Sequence, residues 1–158
     1  MTKELQPLIS IIIPAFNAQA SIERAVSSVL NQTYRSIELI VINDCSSDNT
    51  LELIRGLTSK SIKITVIENK TNRGVAAARN QGINVAVGNW VTFLDADDYF
   101  NHTYLEKVHN FLRDQEFVCT SYMEIGVNNE KKHKNHQMNT NTDLHDKVLL
   151  DYMELYYL

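Results

Sequence analysis

The stretch that decides the predicted fold is Trp90-Val91-Thr92-Phe93-Leu94-Asp95-Ala96-Asp97-Asp98-Tyr99-Phe100. Its first part is β-branched and aromatic, which is typical of a buried strand over residues 90–94. The three carboxylates that follow do not belong in a strand core, because burying an unpaired charge is costly. We therefore expect them just beyond the carboxyl end of the strand, the edge at which open α/β sheets bind ligands.

The spacing of Asp95 and Asp97 suggests a metal site. Two carboxylates in an Asp-x-Asp pattern can converge on a hard divalent cation such as Mg²⁺ or Mn²⁺, and that cation would in turn hold a diphosphate. The same residues would also suit a solvated turn that starts the next helix. The surrounding chain has to decide between the two interpretations.

Apolar runs alternate with helical patterns before this stretch. Residues 8–13, 37–42 and 62–67 read as strands, and residues 18–31, a segment capped by Asp48, and residues 75–87 read as helices. Ser21, Glu23 and Arg24 are expected on the outward polar face of the first helix. This β-α-β-α-β-α-β order predicts an α/β fold, a mostly parallel sheet with helices on both faces.

In such a sheet the carboxyl ends of the strands share one edge. Asn17, Asp44 and the Asp95/Asp97 pair follow three different strands and should line one crevice. A dinucleotide-binding domain would need Gly-x-Gly-x-x-Gly after the first strand, where this chain has residues 14–17, Pro-Ala-Phe-Asn. A P-loop would need Gly-Lys-Ser/Thr, which is absent, and a receiver domain would need acids after the first strand.

The whole chain has the composition of an ordinary globular domain. It has 158 residues, a net charge of −4 and two cysteines, Cys45 and Cys119, without zinc-type spacing. The absence of a basic excess argues against nucleic acid as a partner. The N-terminus lacks a signal-peptide pattern, so we expect a cytoplasmic protein with free thiols.

Five segments in order resemble the successive motifs of family-2 glycosyltransferases. The resemblance covers about residues 8–112, and its segments are residues 10–17 (SIIIPAFN), 28–34 (SVLNQTY), 38–50 (ELIVINDCSSDNT), 72–80 (NRGVAAARN) and 94–98 (LDADD). It implies the GT-A fold, a Rossmann-like sheet, and the Asp-x-Asp (DXD) motif of that fold. Asn43 stands where the family often has an acid, and Cys45 where it often has glycine.

The resemblance also implies roles for individual residues. The turn after the first strand would touch the nucleotide, and Asp44 would accept a hydrogen bond from the base. Asp97 would be the direct ligand of Mn²⁺ or Mg²⁺, and Asp95 would contact the ribose or the metal shell. Asp44 could instead form a local turn with Ser46 or Ser47, and Arg79 could make a surface salt bridge. Asp98 would support the metal shell or the helix start. The implied nucleotide-sugar-binding set is Pro14, Ala15, Asn17, Asp44, Arg73, Arg79, Asp95, Ala96 and Asp97.

The implied activity is inverting, metal-dependent transfer of a sugar from a nucleoside diphosphate, with UDP the expected one, to a hydroxyl of a cell-surface polysaccharide or glycolipid. The partners would be a UDP-sugar and a saccharide or lipid-linked acceptor, with peripheral association at the inner face of the membrane. Two alternatives stay open: a nucleotide-sugar-binding fragment without turnover, and a nucleotidyltransferase, which would need a glycine-rich first turn.

The second half is less informative. We assign residues 1–127 to the nucleotide-sugar-binding core and residues 128–158 to a polar loop or hairpin plus a C-terminal helix, the start of a truncated acceptor half. Residues 103–115 are predicted as a helix and residues 117–127 as a strand beside the fourth strand. The catalytic base has no match among the acids present. The apolar C-terminal helix would expose a sticky patch, so we expect homo-oligomers.

Overall fold

The computed structural model describes residues 6–57, 59 and 61–110, and beyond them the backbone of five short strands within residues 119–157. Four helices are described: α1 (Ile22–Leu30), α2 (Thr50–Gly56), α3 (Val75–Val85) and α4 (Tyr104–His109). The strands are β1 (Ile9–Ala15), β2 (Ile37–Asn43), β3 (Lys63–Glu68), β4 (Trp90–Phe93), β5 (Tyr99–Phe100), β6 (Cys119–Thr120), β7 (Tyr122–Ile125), β8 (Lys131–Lys134), β9 (Leu149–Leu150) and β10 (Leu155–Tyr157).

The first four strands form one parallel sheet in the order β3-β2-β1-β4. In its register Ile9 lies beside Ile37 and Trp90, and Ala15 lies beside Asn43. The carboxyl ends of these strands therefore meet at one edge. This confirms the predicted α/β fold with a parallel sheet, and it brings the segments after β1, β2 and β4 together.

Both faces of the central strands are covered by helices. Because side chains alternate along a strand, Ile11 and Ile13 of β1 enter a core with the apolar stripe of α1, whereas Ile12 enters a second core with Ala78 of α3. All three isoleucines are fully buried. The unbroken apolar run in β1 is thus explained by two cores, one on each side of the sheet.

Close packing of α3 on β1 depends on a glycine. A Cβ atom at Gly82 would lie 2.4 Å from Cγ2 of Ile12. Ile12 has no exposed surface, so it has little room to move away. The glycine lets the backbone of α3 approach the sheet, and this sets the position of the whole helix, including Arg79.

The predicted strand at residues 90–94 is present as β4, but the prediction that all of it is buried was wrong. Val91 is 40% exposed and Phe93 is 39% exposed, while Leu94, just after the strand, is buried. Within the described residues β4 is the last strand of its sheet, so one of its faces lacks full cover. An apolar run alone does not distinguish an edge strand from a central one.

The helices are shorter than predicted. The segment before α1 forms a turn in which the carbonyl oxygen of Ala18 accepts hydrogen bonds from the N–H groups of Ser21 and Ile22. The helix α3 ends at Val85 because Ala86 has an extended backbone with φ −64° and ψ 136°. The predicted extensions of these helices are therefore turns and loop.

The C-terminal part departs from the prediction of a helix. Strand β8 lies in the segment predicted as a polar loop or hairpin and pairs antiparallel with β7, as the hairpin alternative expects. Within the predicted strand at residues 117–127, β6 and β7 lie in sheets other than that of β4, so the expected position beside the fourth strand was wrong. Strands β9 and β10 lie where a helix was predicted; β10 pairs antiparallel with β5 and parallel with β7, and β9 pairs with β6. The Leu-Tyr-Tyr sequence of β10 suits a strand, because aromatic residues favour sheets.

The remainder of the predicted C-terminal helix, residues 143–148, 151–154 and 158, lies outside the described residues, as does the end of the predicted 103–115 helix. No helix in the described part of the chain combines the length and the apolar character that crossing a membrane requires.

Candidate active site at the carboxyl edge of the sheet

A cleft of about 400 Å³ opens at the edge where β1 and β4 end. It is lined by the turn after β1, the start of α1, one side of α3 and the turn after β4. The residues that line it are Pro14, Phe16, Asn17, Ala18, Ser21, Val75, Arg79, Asp95, Ala96 and Asp97. Six of the nine nucleotide-binding residues predicted from the sequence are among them.

The other three predicted residues lie close by but do not line the cleft. Ala15 is buried, and its carbonyl oxygen accepts a hydrogen bond from the Asp44 N–H at 2.8 Å. Asp44 is also buried, and Arg73 is exposed on the loop before α3. The structure thus brings the predicted residues of β1, α3 and the Asp-x-Asp turn together, whereas Asp44 and Arg73 do not line the cleft.

The turns after β1 and β2 are tied to each other. Asn17, which has a positive φ of 49°, accepts hydrogen bonds through Oδ1 from the N–H and hydroxyl of Ser47, and its own N–H donates to Oγ of Ser46. The N–H of Ala18 donates to Oγ1 of Thr50 at 2.8 Å. These contacts fix the floor of the cleft before any ligand enters. They also mean that Ser46 and Ser47 bond to Asn17, not to Asp44 as the alternative interpretation expected.

Asp48 joins the start of α2 to the segment that follows β1. Its carboxylate accepts hydrogen bonds from the N–H groups of Thr50 and Gln19. Desolvation raises the pKa of Asp48, but the hydrogen bonds from Thr50 and Gln19 outweigh it and hold this pKa below the ordinary value of 3.8. Asp48 was predicted as the cap of α2, but Asn49 stands at the N-cap, and Asp48 instead accepts a hydrogen bond from the N–H of Thr50, the first residue of the helix.

The Asp44 carboxylate organises the loop between β3 and α3. It is 3% exposed and accepts hydrogen bonds from Nδ2 of Asn69 at 2.7 Å, from the Arg73 N–H at 2.9 Å and from the Gly74 N–H at 2.8 Å. Gly74 has a φ of 82°, which a residue with a side chain rarely adopts. Asp44 therefore sets where α3 begins.

Arg79 reaches from α3 to the turn after β4. Its Nη2 lies 2.6 Å from Oδ1 of Asp95, and its guanidinium lies 5.5 Å from the centre of the Phe93 ring. The side chains of Arg79 and Asp95 are 36% and 42% exposed. The salt bridge that the sequence left as an alternative for Arg79 is present, and it lies inside the cleft, not on the outer surface.

Asp97 presents an exposed carboxylate to the cleft while its backbone is anchored from behind. Nη2 of Arg24 donates to the Asp97 carbonyl oxygen at 2.6 Å, and the Arg24 guanidinium lies 4.8 Å from the centre of the Tyr99 ring. Asp98 is buried, and its N–H donates to the Asp95 carbonyl oxygen. The turn that carries both acids is thus held at several points.

Sequence reasoning missed four residues of the lining and misplaced Arg24, which was expected to point outward. Phe16 is 51% exposed at the mouth of the cleft. A large aromatic residue in a turn between Ala15 and Asn17 was a usable signal, because nothing in the strand pattern requires it there. Ser21, Ala18 and Val75 carry no comparable signal. The reach of Arg24 across to another turn has no local signature.

The donor set at the cleft suits a divalent cation that is shared with a ligand. Asp95 and Asp97 supply the carboxylate oxygens that Mg²⁺ and Mn²⁺ prefer. No group of three or more His, Cys, Asp or Glu side chains in the described part of the chain could hold a metal by itself. Further oxygens would therefore come from water or from a bound diphosphate.

Comparison with known proteins agrees with this geometry. The profile of the family described as glycosyl transferase family 2 matches residues 10–156. An uncharacterized glycosyltransferase of Haemophilus influenzae is 43% identical over 72% of this chain and 46% of its own length. The Escherichia coli UDP-Glc:alpha-D-GlcNAc-diphosphoundecaprenol beta-1,3-glucosyltransferase WfaP is 39% identical over 73% of this chain and 45% of its own length.

Among solved structures, that of S. aureus TarS 1-349 in complex with UDP is similar, with a TM-score of 0.69 and 27% sequence identity. The match covers 81% of this chain and 38% of that one. The chain thus spans less than half the length of each of these three proteins.

Proposed function

Because the chain belongs to glycosyl transferase family 2 and has the GT-A fold, we propose that it carries the donor side of an enzyme that transfers a sugar from UDP to an acceptor hydroxyl. The observation that carries this proposal is the cleft in which Asp95, Asp97 and Arg79 face the turn after β1. It combines two acids for a cation with one guanidinium for phosphate, as a metal-bound diphosphate requires.

The nucleotide would lie along the turn after β1. Phe16 offers an exposed aromatic ring on which a base could stack, and Asn17 and Pro14 form the adjoining wall. Direct acceptance of a hydrogen bond from the base by Asp44 stays a prediction. Its described contacts support a role through the loop that carries Arg73. UDP as the donor nucleotide is supported by the similar TarS structure, which contains UDP.

A divalent cation, Mn²⁺ or Mg²⁺, is the cofactor that we propose. Asp97 and Asp95 would hold it, and both residues fit because their carboxylates line the same cleft and are accessible. When bound, such a cation neutralises charge that develops on the departing diphosphate. Arg24 keeps the Asp97 backbone in place, and Arg79 supplies a second positive group toward phosphate.

The proposed reaction is inverting. An acceptor hydroxyl would attack the anomeric carbon, the bond from that carbon to the diphosphate would break, and UDP would leave. A carboxylate must take the hydroxyl proton. The acceptor that we propose is a saccharide or a lipid-linked glycan; the name of the similar WfaP specifies a diphosphoundecaprenol-linked one. We also propose that transfer takes place at the inner face of the membrane.

A second candidate is binding of nucleotide sugars without turnover. It is favoured by the length of the match, because the chain spans 46% and 39% of two similar glycosyltransferases from Haemophilus influenzae. In that case the cleft would hold UDP and its cation in the same way, and the acceptor side would have to be supplied by further chain.

Calorimetry tests the shared premise. UDP titrated into the 158-residue chain should bind in the presence of Mn²⁺ and bind far more weakly with EDTA, and inorganic phosphate should not replace it. Equal affinity with and without the cation would reject the assignment of the acids. Release of UDP from a panel of UDP-sugars, with and without glycan acceptors, then separates transfer from binding alone.

A further inference from the structure

The ion pair between Arg79 and Asp95 places a positive group where the proposed cation would need an oxygen ligand. Nη2 of Arg79 lies 2.6 Å from Oδ1 of Asp95, so this oxygen already accepts a charge-assisted hydrogen bond. The guanidinium is also held over the ring of Phe93 at 5.5 Å. Arg79 therefore occupies a defined position, with one acid of the proposed metal site as its partner.

The charged residues that line the cleft indicate what Arg79 does when no ligand is bound. Among the described residues of the lining, Arg79 carries the positive charge, and Asp95 and Asp97 carry the negative charges. Without a ligand, Arg79 neutralises part of this acidic pair. A divalent cation arriving alone would meet a guanidinium of the same sign beside its ligand, and like charges at close range disfavour each other's binding.

A diphosphate changes this balance. Its oxygens can accept hydrogen bonds from a guanidinium and can ligate a metal at the same time, and it brings several negative charges. Arg79 is 36% exposed and lines the cleft with Asp95, so its charged end can turn from the carboxylate to a phosphate without leaving the site. The cation would then take its place beside Asp95.

Resting on the proposed function, we propose that Arg79 is a placeholder for the divalent cation: it holds Asp95 in the donor-free state and moves to the diphosphate when the cation enters. The site would then discriminate against free cation and bind cation and nucleoside diphosphate as a pair. Binding of one would strengthen binding of the other, as linkage requires.

The test is the substitution Arg79→Gln, which removes the charge and keeps a polar side chain of moderate size. Mn²⁺ alone is titrated and its free fraction is read from the electron paramagnetic resonance signal of the aqueous ion. We expect Mn²⁺ to bind about 1.5-fold to fivefold more tightly to the variant, the range that follows from a partly exposed ion pair. UDP affinity at saturating Mn²⁺, measured by calorimetry, should fall by about tenfold or more.

Two further variants serve as controls. Arg55→Gln also removes an arginine from an ion pair, that with Glu68, but neither residue lines the cleft, so both affinities should match those of the unaltered chain. Arg79→Lys keeps the charge and loses the planar fork. It should keep weak binding of Mn²⁺ alone and lose part of the UDP affinity. Far-UV circular dichroism and thermal unfolding establish that each variant is folded.

The proposal predicts that Arg79→Gln changes the two affinities in opposite directions, with Mn²⁺ alone bound more tightly and UDP bound more weakly. If folded Arg79→Gln bound both Mn²⁺ and UDP more weakly, Arg79 would support the metal site instead of competing with it, and the placeholder role would be wrong. Unchanged binding of Mn²⁺ alone would overturn it equally. Failure of the unaltered chain to bind UDP with Mn²⁺ would instead reject the proposed function itself.

Discussion

Replacing Asp44 with alanine should lower the free energy of unfolding by about 3 kcal/mol. The buried carboxylate accepts hydrogen bonds from the Asn69 side chain and from the N–H groups of Arg73 and Gly74. Hydrogen bonds to a charged group contribute about 1.5–3 kcal/mol each. Three such bonds would sum to more than about 3 kcal/mol. Because Arg73 and Gly74 are exposed, water can hydrogen-bond the released donors, and we therefore expect a smaller loss of about 3 kcal/mol.

Urea unfolding, followed through circular dichroism, measures this loss. With a slope of about 2 kcal/mol per molar urea, the midpoint should fall by roughly 1.5 M. Asp44→Asn keeps one acceptor oxygen but places an amide donor against the remaining N–H groups. Its loss in free energy of unfolding should therefore be about half to all of that expected for Asp44→Ala. Asp97→Ala is the matched control, because this aspartate is exposed, and its midpoint should stay within about 0.3 M of the unaltered chain.

A midpoint for Asp44→Ala as close to the unaltered chain as that of Asp97→Ala would refute the reasoning. It would mean that the loop at residues 69–74 holds its conformation without the carboxylate. Asp44 would then be available to bind the base directly, and UDP affinity of the same variant would report that role.

Three further predictions use other parts of the molecule. Asp97→Ala should abolish Mn²⁺-dependent UDP binding in calorimetry; retained affinity would remove Asp97 from the metal site. Since the Asp48 pKa is depressed in the folded state, its contribution to stability is present above the unfolded pKa and lost as pH falls through the folded value. Asp48→Asn should therefore flatten the loss of stability below about pH 4 in urea titrations, and an unchanged pH slope would contradict this. Gly82→Ala should lose about 1–3 kcal/mol by overpacking against Ile12, whereas Gly56→Ala, with open space around it, should be neutral or slightly stabilising; equal melting temperatures would count against the close-packing argument.

The sheet and most of the cleft were predictable from the sequence, because both follow from local patterns. Unbroken apolar runs identified β1 and β2, and polar residues directly after them had to meet at one edge of a parallel sheet. That is why Asn17, Asp95 and Asp97 were expected together and lie together.

What the sequence did not reveal depends on contacts between distant segments. Arg24 is 73 positions from Asp97, and a helical pattern shows only that this arginine avoids the apolar stripe. The partial exposure of β4 depends on which strands flank it. The strand β10 exists through its pairing with Phe100 and Met123, whereas its own leucine and tyrosines fit a helix equally well by spacing.

The bonds that join the turn after β1 to the turn after β2 have a consequence for evolution and for engineering. Asn17 and Ala18 on one turn are joined by hydrogen bonds to Ser46, Ser47 and Thr50 on the other. A substitution that removes one of these side chains leaves its partner on the other turn without that hydrogen bond. Neutral drift there should proceed by paired replacements, and a graft of this donor pocket onto another scaffold would have to carry both turns at once.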